Sequence, residues 1–207
     1  MSRGGCTRAP LPHVLLEEMA LAAVPATSPP PATLERARRG DADAFGGLVR
    51  ERQRLVFGLA LNVLRDRALA EEVAQEVFLQ LHRSLGSIES EAHLTHWLRR
   101  VTSHRAIDVA RHRRHAEVSG LDEAPEPWVV RRDADPLVGR TLRRLVAALP
   151  PRPRTVVVLR FQEDLEPAEI ARVLDMPVNT VKSHLRRALA VLRARAGQAL
   201  GGAEVTS

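Results

Sequence analysis

Apolar residues recur along most of this chain at three- and four-residue steps, the spacing of α-helices with one buried side. The clearest case follows Asp66, where an apolar residue stands at every fourth position: Leu69, Val73, Val77, Leu81 and Leu85. Asp66 suits the N-cap of this helix, and Gly86 suits its C-terminal stop. The pattern therefore predicts an amphipathic helix between these two residues.

Three more helices are predicted around it. Thr33 is placed to cap a short helix that ends at Gly40, and Asp41 to cap a longer one that runs to about Leu64. After a loop, a fourth helix leads into a run of arginines and carries these apolar residues: Leu94, Trp97, Leu98, Val101, Ile107 and Val109. We expect Trp97 to pack in the core rather than to stack on a base.

Two segments lack this periodicity. Residues 1–32 contain six prolines and are predicted to be a disordered tail, in which Met19 is an alternative start. The segment from Glu117 to Asp135 holds six acids and two arginines, a net charge of −4, and two prolines. We therefore expect an acidic, flexible linker over 116–136, with domains at 33–115 and 137–197 and a short tail at 198–207.

The second domain ends in a pattern typical of a helix-turn-helix. Pro167 suits the first residue of a short helix, Asp175 tolerates the left-handed turn that ends one, and Pro177 is expected to open the next helix. In that helix the buried stripe is predicted to be Val181, Leu185, Ala188 and Leu192. Two pairs of residues four positions apart, Lys182 with Arg186 and Ser183 with Arg187, then face outward near the N-terminal end of this helix. Helices that enter the major groove present their side chains in this way.

Composition supports a helical nucleic-acid-binding protein. Aromatic residues make up only 3% of the chain and tyrosine is absent, which favours an all-α fold of two small helical domains. The net charge is +6, and positive charge is concentrated in two helices. From Pro177 to Arg195 there are five basic residues and no acid; from His96 to Arg114 there are six arginines and one acid.

Other functional classes are disfavoured. No phosphate loop, nucleophile elbow or catalytic carboxylate pair is present, so no enzymatic activity is expected. Cys6 is the only cysteine, and the pairs His93–His96 and His112–His115 lack further ligands, so neither a metal site nor another cofactor is expected. The apolar stretch from Val14 to Val24 is too short to span a membrane, and we expect a soluble cytoplasmic protein without membrane insertion.

Two stretches resemble bacterial RNA polymerase sigma factors of the extracytoplasmic-function (ECF) type. Leu149-Pro150, Glu169-Ile170-Ala171 and the run from Met176 to Ser183 are similar to region 4 of that family. Ala70-Glu71-Glu72-Val73, Gln75 to Leu79, Trp97-Leu98 and Asp108 with Arg111 look like region 2. The two regions stand in the family's order, which makes the resemblance specific.

The resemblance implies that region 2 docks on the clamp helices of core RNA polymerase and melts the minus-ten promoter element, and that region 4 reads the minus-thirty-five element near the flap. It also implies an anti-sigma factor as a partner. The expected polymerase-binding residues are Glu71, Glu72, Gln75 and Glu76. The expected DNA-binding residues are Arg99, Arg100, His104, Arg105, Asp108 and Arg111 on the minus-ten side, and Arg152, Thr180, Lys182, Ser183, Arg186 and Arg187 on the minus-thirty-five side.

Three positions depart from the family pattern: His104 stands where Asn is usual, Asn179 where Gly is usual, and His184 where Arg is common. The loop from Gly86 to His93 is the family's place for an unstacked base. The alternative interpretation is a stand-alone, dimeric helix-turn-helix regulator. Such a protein has no need of the motif from Glu71 to Leu79 or of the arginine-rich helix that carries Trp97.

Overall fold

The structure is a computed structural model that describes residues 31–118 and 136–201, with side chains described for 33–114 and 142–196. The described residues form helices and no strand, which confirms the all-α prediction. The predicted linker and both tails lie almost entirely outside the described residues. The helices are α1 (Pro31–Arg38), α2 (Ala42–Leu64), α3 (Arg67–Ser84), α4 (Glu91–Val118), α5 (Pro136–Ala147), α6 (Pro151–Phe161), α7 (Pro167–Leu174) and α8 (Val178–Gly201), with a 3-10 turn at Leu85–Ser87.

Short acidic side chains cap two helices of the N-terminal domain (α1–α4), α2 and α3, as predicted. Asp41 accepts a hydrogen bond of 3.0 Å from the Ala44 N–H, and Asp66 accepts one of 3.1 Å from the Leu69 N–H. These bonds satisfy N–H groups that have no partner inside the first helical turn. The capping aspartates therefore fix where α2 and α3 begin.

Three predicted helix boundaries were wrong. Thr33 lies inside α1, which begins at Pro31, because proline already has the backbone angle of a first helical turn. Gly86 does not end α3 in a left-handed turn; α3 ends at Ser84 and continues into the 3-10 turn that contains Gly86. Helix α8 begins at Val178, one residue after Pro177, whose carbonyl accepts the first hydrogen bonds of the helix.

The core of the N-terminal domain lies where α2, α3 and α4 pack together. Each helix contributes its apolar stripe, and the fully buried members include Leu48, Leu59, Val73, Val77, Leu81, Leu94 and Leu98. Trp97 is half-buried and packs against this core, as predicted. The opposite side of α3 remains available for other contacts.

In the C-terminal domain (α5–α8), α7 and α8 form the predicted helix-turn-helix. The Glu169 side chain caps the start of α7, where it accepts a hydrogen bond of 2.8 Å from the Glu166 N–H. Asp175 takes the left-handed conformation at the turn, with φ of 53°. Val181, Ala188 and Leu192 are buried as expected, so the outward face of α8 is set by this packing.

The two domains pack against each other through α2 and α4 on one side and α6 and α7 on the other. One apolar cluster is continuous across the interface and joins Leu94 and Leu98 of α4 to Ile170 and Val173 of α7. Burial of apolar side chains thus stabilises the contact between the domains as well as each domain.

Arg154 of α6 lies at this interface and bonds to both domains. Its guanidinium donates to the Val63 carbonyl of α2 at 2.5 Å, to the Leu149 carbonyl at 2.9 Å and to the Ala147 carbonyl. Carbonyls at the ends of helices lack partners within the helix and attract a cation. Burial lowers the Arg154 pKa to about 10, so the side chain stays charged at neutral pH.

We predict that Arg154→Leu lowers the free energy of unfolding by about 1–3 kcal/mol, because several carbonyls lose their charged donor while volume is largely kept. Urea denaturation measures this. Arg152→Leu is the control, since Arg152 is exposed on the same helix, and its effect is expected within about 0.5 kcal/mol. Equal effects of the two substitutions on the free energy of unfolding would argue against a structural role for Arg154.

Candidate nucleic-acid interface

The outward face of α8 carries the residues predicted to contact the minus-thirty-five element. Thr180, Lys182, Arg186 and Arg187 are exposed, and Ser183 is half-buried. Among the described residues, no carboxylate pairs with Lys182, Arg186 or Arg187. Their positive charge is therefore available to an anionic partner.

Arg152 extends this face from the start of α6, where its side chain is exposed. His184 lies close by: its pKa is lowered first by burial and then by the positive charges of Arg187 and Arg152. The lowered pKa favours the neutral imidazole at neutral pH. We call Arg152, Thr180, Lys182, Ser183, Arg186 and Arg187 the α8 face; its four basic side chains are all exposed.

The residues predicted for the minus-ten side are divided among several environments. Three of them contact the C-terminal domain: Arg99 Nε lies 2.9 Å from a Glu163 oxygen, Arg100 Nη2 lies 3.4 Å from an Asp175 oxygen, and His104 Nε2 lies 3.2 Å from the Val173 carbonyl oxygen. Sequence patterns gave no indication of these contacts. Asp108 and Arg111 are exposed further along α4.

Arg105, the remaining minus-ten candidate, forms a two-pronged ion pair with Glu76, a candidate polymerase contact on α3. The hydrogen bond from Arg105 lowers the pKa of the Glu76 carboxyl, and the same bond raises the pKa of Arg105. A residue predicted to bind DNA and a residue predicted to bind the polymerase are therefore ion-paired with each other within the domain. Both side chains are nearly half exposed, so the pair remains open to competition.

The outward face of α3 combines acidic and apolar groups. Glu72 and Gln75 are exposed, and Glu71 pairs with Arg67 at 2.8 Å. Leu79, one turn after Gln75, is 61% exposed, although its neighbours in the apolar pattern are buried. The sequence signal for Leu79 was its position off the stripe formed by Val73, Val77 and Leu81.

A partly buried ion pair that sequence reasoning missed fixes the end of the loop before α4. Arg52 of α2 is only 3% exposed and donates to Glu91, the first residue of α4, at 2.7 Å. Ile88 anchors the middle of the loop in the core, while Ser87 and Glu89 stay exposed. Arg52 stands midway between Leu48 and Val56 at four-residue steps, which is the signal that could have found it.

A cavity of about 530 Å³ lies between α4 and α7. His96, Arg99 and Arg172 line it together with Glu169 and apolar side chains. Burial lowers the pKa of His96, and the nearby charges of Arg100 and Arg172 lower it further. The cavity therefore belongs to the same basic region as the α4 arginines.

Within residues 31–118 and 136–201, no group of three or more His, Cys, Asp or Glu side chains is arranged to hold a metal ion. The described helices also include none with the length and apolar character needed to cross a membrane.

Two family models match the chain in succession. Residues 48–116 match sigma-70 region 2, and residues 139–192 match sigma-70 region 4. The matched segments contain, in the same order, the α3 and α4 surfaces and the α8 face described above.

Curated relatives match most of their own length. The RNA polymerase sigma-H factor of Pseudomonas aeruginosa is 33% identical over 172 residues, which cover 75% of this chain and 87% of that protein. The ECF RNA polymerase sigma-E factor of Haemophilus influenzae is 33% identical, with 76% and 89% covered. The ECF RNA polymerase sigma factor SigW of Bacillus subtilis is 28% identical, with 77% and 92% covered.

A solved structure of CnrH in complex with the cytosolic domain of CnrY is similar in fold. It has a TM-score of 0.59 and 22% sequence identity, and the match covers 81% of this chain and 96% of that chain.

We predict that His96 and His184 titrate below the ordinary imidazole value of 6.5, because both are partly buried beside arginines. Between the lowered pKa and 6.5 the unfolded chain binds more protons than the folded one. Stability therefore increases as the pH rises through this window and decreases as the pH falls through it. NMR titration of the imidazole signals gives the midpoints.

His184→Gln is the matched variant for this prediction. It should flatten the dependence of unfolding free energy on pH in that window, and Arg187→Ala should move the His184 midpoint upward. A His184 midpoint at or above 6.5 would contradict the burial and charge environment described here.

Proposed function

Since the chain belongs to the ECF group of RNA polymerase sigma factors, which direct promoter-specific transcription initiation, we propose a separate role in initiation for each of its two domains. The N-terminal domain docks on core RNA polymerase and engages the minus-ten element, and the C-terminal domain reads the minus-thirty-five element. The presence of both matched regions in one chain, each with its own basic helix, is the observation that carries the proposal. The chain performs no catalysis itself and acts by positioning the polymerase.

The outward face of α3 is the proposed docking surface for the clamp helices of core polymerase. Glu72, Gln75 and Leu79 lie at three- and four-residue steps and are all exposed. A large apolar side chain flanked by acids and an amide suits a partner that presents both apolar and basic groups. Glu71 and Glu76 border the surface, each already paired with an arginine.

The α8 face is proposed to enter the major groove of the minus-thirty-five element, with the C-terminal domain held near the polymerase flap. Arg186 and Arg187 have the length and forked geometry to bond guanine edges, and Lys182 and Arg152 suit phosphate contacts. Exposed Asn179 replaces a glycine at the second position of α8, and asparagine is well tolerated at helix starts.

The minus-ten surface is proposed to be the arginine side of α4 together with the loop from Gly86 to His93. The buried pair of Arg52 and Glu91 keeps the end of this loop in place, while its exposed residues remain accessible to an unstacked base. Arg99, Arg100 and Arg105 then provide charge along the strand.

A regulatory partner is also proposed. CnrH, whose fold this chain shares, was solved with the cytosolic domain of CnrY, which supports an anti-sigma protein as a partner here. Because the proposed work requires polymerase and promoter DNA, its place of action is the cytoplasm.

The direct test is run-off transcription with core polymerase, with and without this protein, on fragments of its own genome that include its upstream region. Promoter-dependent transcripts that require the protein are expected. Tight operator binding by the protein alone, with no such transcripts, would favour a stand-alone regulator instead.

We predict that Glu72→Arg reduces co-purification with core polymerase by more than about tenfold, since a like charge would face the basic partner. Glu72 is chosen over Glu76 because Glu76 already pairs with Arg105. Glu35→Arg, the same change at an exposed position of α1, is the control and should co-purify normally. Normal association of the Glu72 variant would remove the assignment of this surface.

We predict different effects for two arginines of the α8 face in holoenzyme binding to promoter duplexes. Arg186→Ala should reduce discrimination at one base pair by about 1–3 kcal/mol. Arg152→Ala should weaken binding to all sequences alike. It should also lower the slope of log affinity against log salt concentration by about one, as expected for the loss of one phosphate contact. Equal weakening of every sequence by Arg186→Ala would argue against base reading by that residue.

A further inference from the structure

Three α4 residues that were predicted to contact the minus-ten element instead contact two carboxylates and a backbone carbonyl of the C-terminal domain. Glu163 stands in the turn between α6 and α7, and Asp175 in the turn between α7 and α8. They pair with Arg99 and Arg100, and the Val173 carbonyl, near the end of α7, contacts His104. Carboxylates and the negative end of a helix are the kinds of acceptor that a phosphate also provides.

The contact is more than a pair of surface charges. Arg99 and Glu163 are 23% and 15% exposed, so their ion pair is largely shielded from water, whereas Arg100 and Asp175 are far more exposed. Beside them, Leu165 and Val173 are buried in the apolar cluster that includes Leu94 and Leu98 of α4. The ion pairs are therefore held in register by apolar packing.

This arrangement is incompatible with simultaneous reading of two promoter elements. Elements at minus ten and minus thirty-five are about 25 base pairs apart, which is about 85 Å of duplex at 3.4 Å per base pair. Here α4 packs directly on α7, and α8 begins four residues after α7 ends. The domains must therefore separate before both surfaces can engage one promoter.

We propose that the two acidic turns of the C-terminal domain occupy the minus-ten surface of the free protein, so that Glu163 and Asp175 compete with single-stranded DNA for Arg99 and Arg100. The inference rests on the proposed function and adds a regulation of the same site. The protein free of polymerase binds the strand weakly, and separation of the domains exposes the arginines.

The chain offers a matched pair of variants for the test. Glu163→Gln and Asp164→Asn each remove one negative charge from the same turn, so their long-range electrostatic effects are alike. Only Glu163 contacts α4, since Asp164 is 98% exposed and its nearest cation is Arg160 of its own domain, at 3.6 Å. A difference between the variants therefore reports the contact itself.

Two measurements are made on the full chain without polymerase. Dyes at Gln80→Cys and Ala194→Cys, in a Cys6→Ser background, report the distance between the domains by energy transfer; both positions are exposed. Fluorescence anisotropy reports affinity for a labelled 20-nucleotide single-stranded DNA of mixed sequence. Thermal melting verifies that each variant is folded.

We expect Glu163→Gln to lower energy transfer and to raise the affinity for single-stranded DNA about three- to tenfold, and Asp164→Asn to leave both near wild type. The gain should disappear when Arg99→Gln is added. The charge swap Arg99→Glu with Glu163→Arg should restore high energy transfer but not DNA binding.

Equal behaviour of the Glu163 and Asp164 variants would overturn the inference, as would domain separation without a gain in DNA affinity. These outcomes are distinguishable from failure of the proposed function, which run-off transcription by the wild-type protein measures separately.

Discussion

Helix α4 must be apolar and cationic along the same length. Leu94, Leu98 and Ile107 bury one side of the helix in a cluster shared by both domains. The other side carries arginines that repel one another unless acids or an anionic ligand neutralise them. Each acid that faces α4 lowers this repulsion, and under the proposed regulation it also competes with the anionic ligand of α4.

Burial divides the arginines of this protein into two groups. Arg52 and Arg154 are enclosed and bond to groups that fix a loop and two helix ends, so removing either leaves buried polar groups without partners. Arg100 and Arg105 are about half exposed in their ion pairs, and pairs of that kind contribute little net stability. The second group can exchange a carboxylate for a phosphate at small cost, which suits the DNA-binding surface proposed for them.

Local patterns predicted most of the fold, because capping and apolar periodicity act within a few residues. Asp41, Asp66 and Asp175 occupy the positions expected from their neighbours alone. The outward face of α8 followed from its buried stripe. The pairing of Arg99 with Glu163 joins residues 64 positions apart in different domains, and no periodicity encodes it. The same holds for Arg105 and Glu76, each of which had a plausible separate partner in the sequence.

The structure shows the surroundings of two positions that depart from the family pattern, His104 and His184. His104, which stands where asparagine is usual, contacts the Val173 carbonyl of the other domain, so a residue of the proposed minus-ten surface also takes part in the domain interface. His184, which stands where arginine is common, is half-buried, and its burial and the charges of Arg187 and Arg152 lower its pKa. A third arginine at that point would add like-charge repulsion at close range. The histidine avoids this repulsion, and the exposed cations of the α8 face remain the residues proposed to contact DNA.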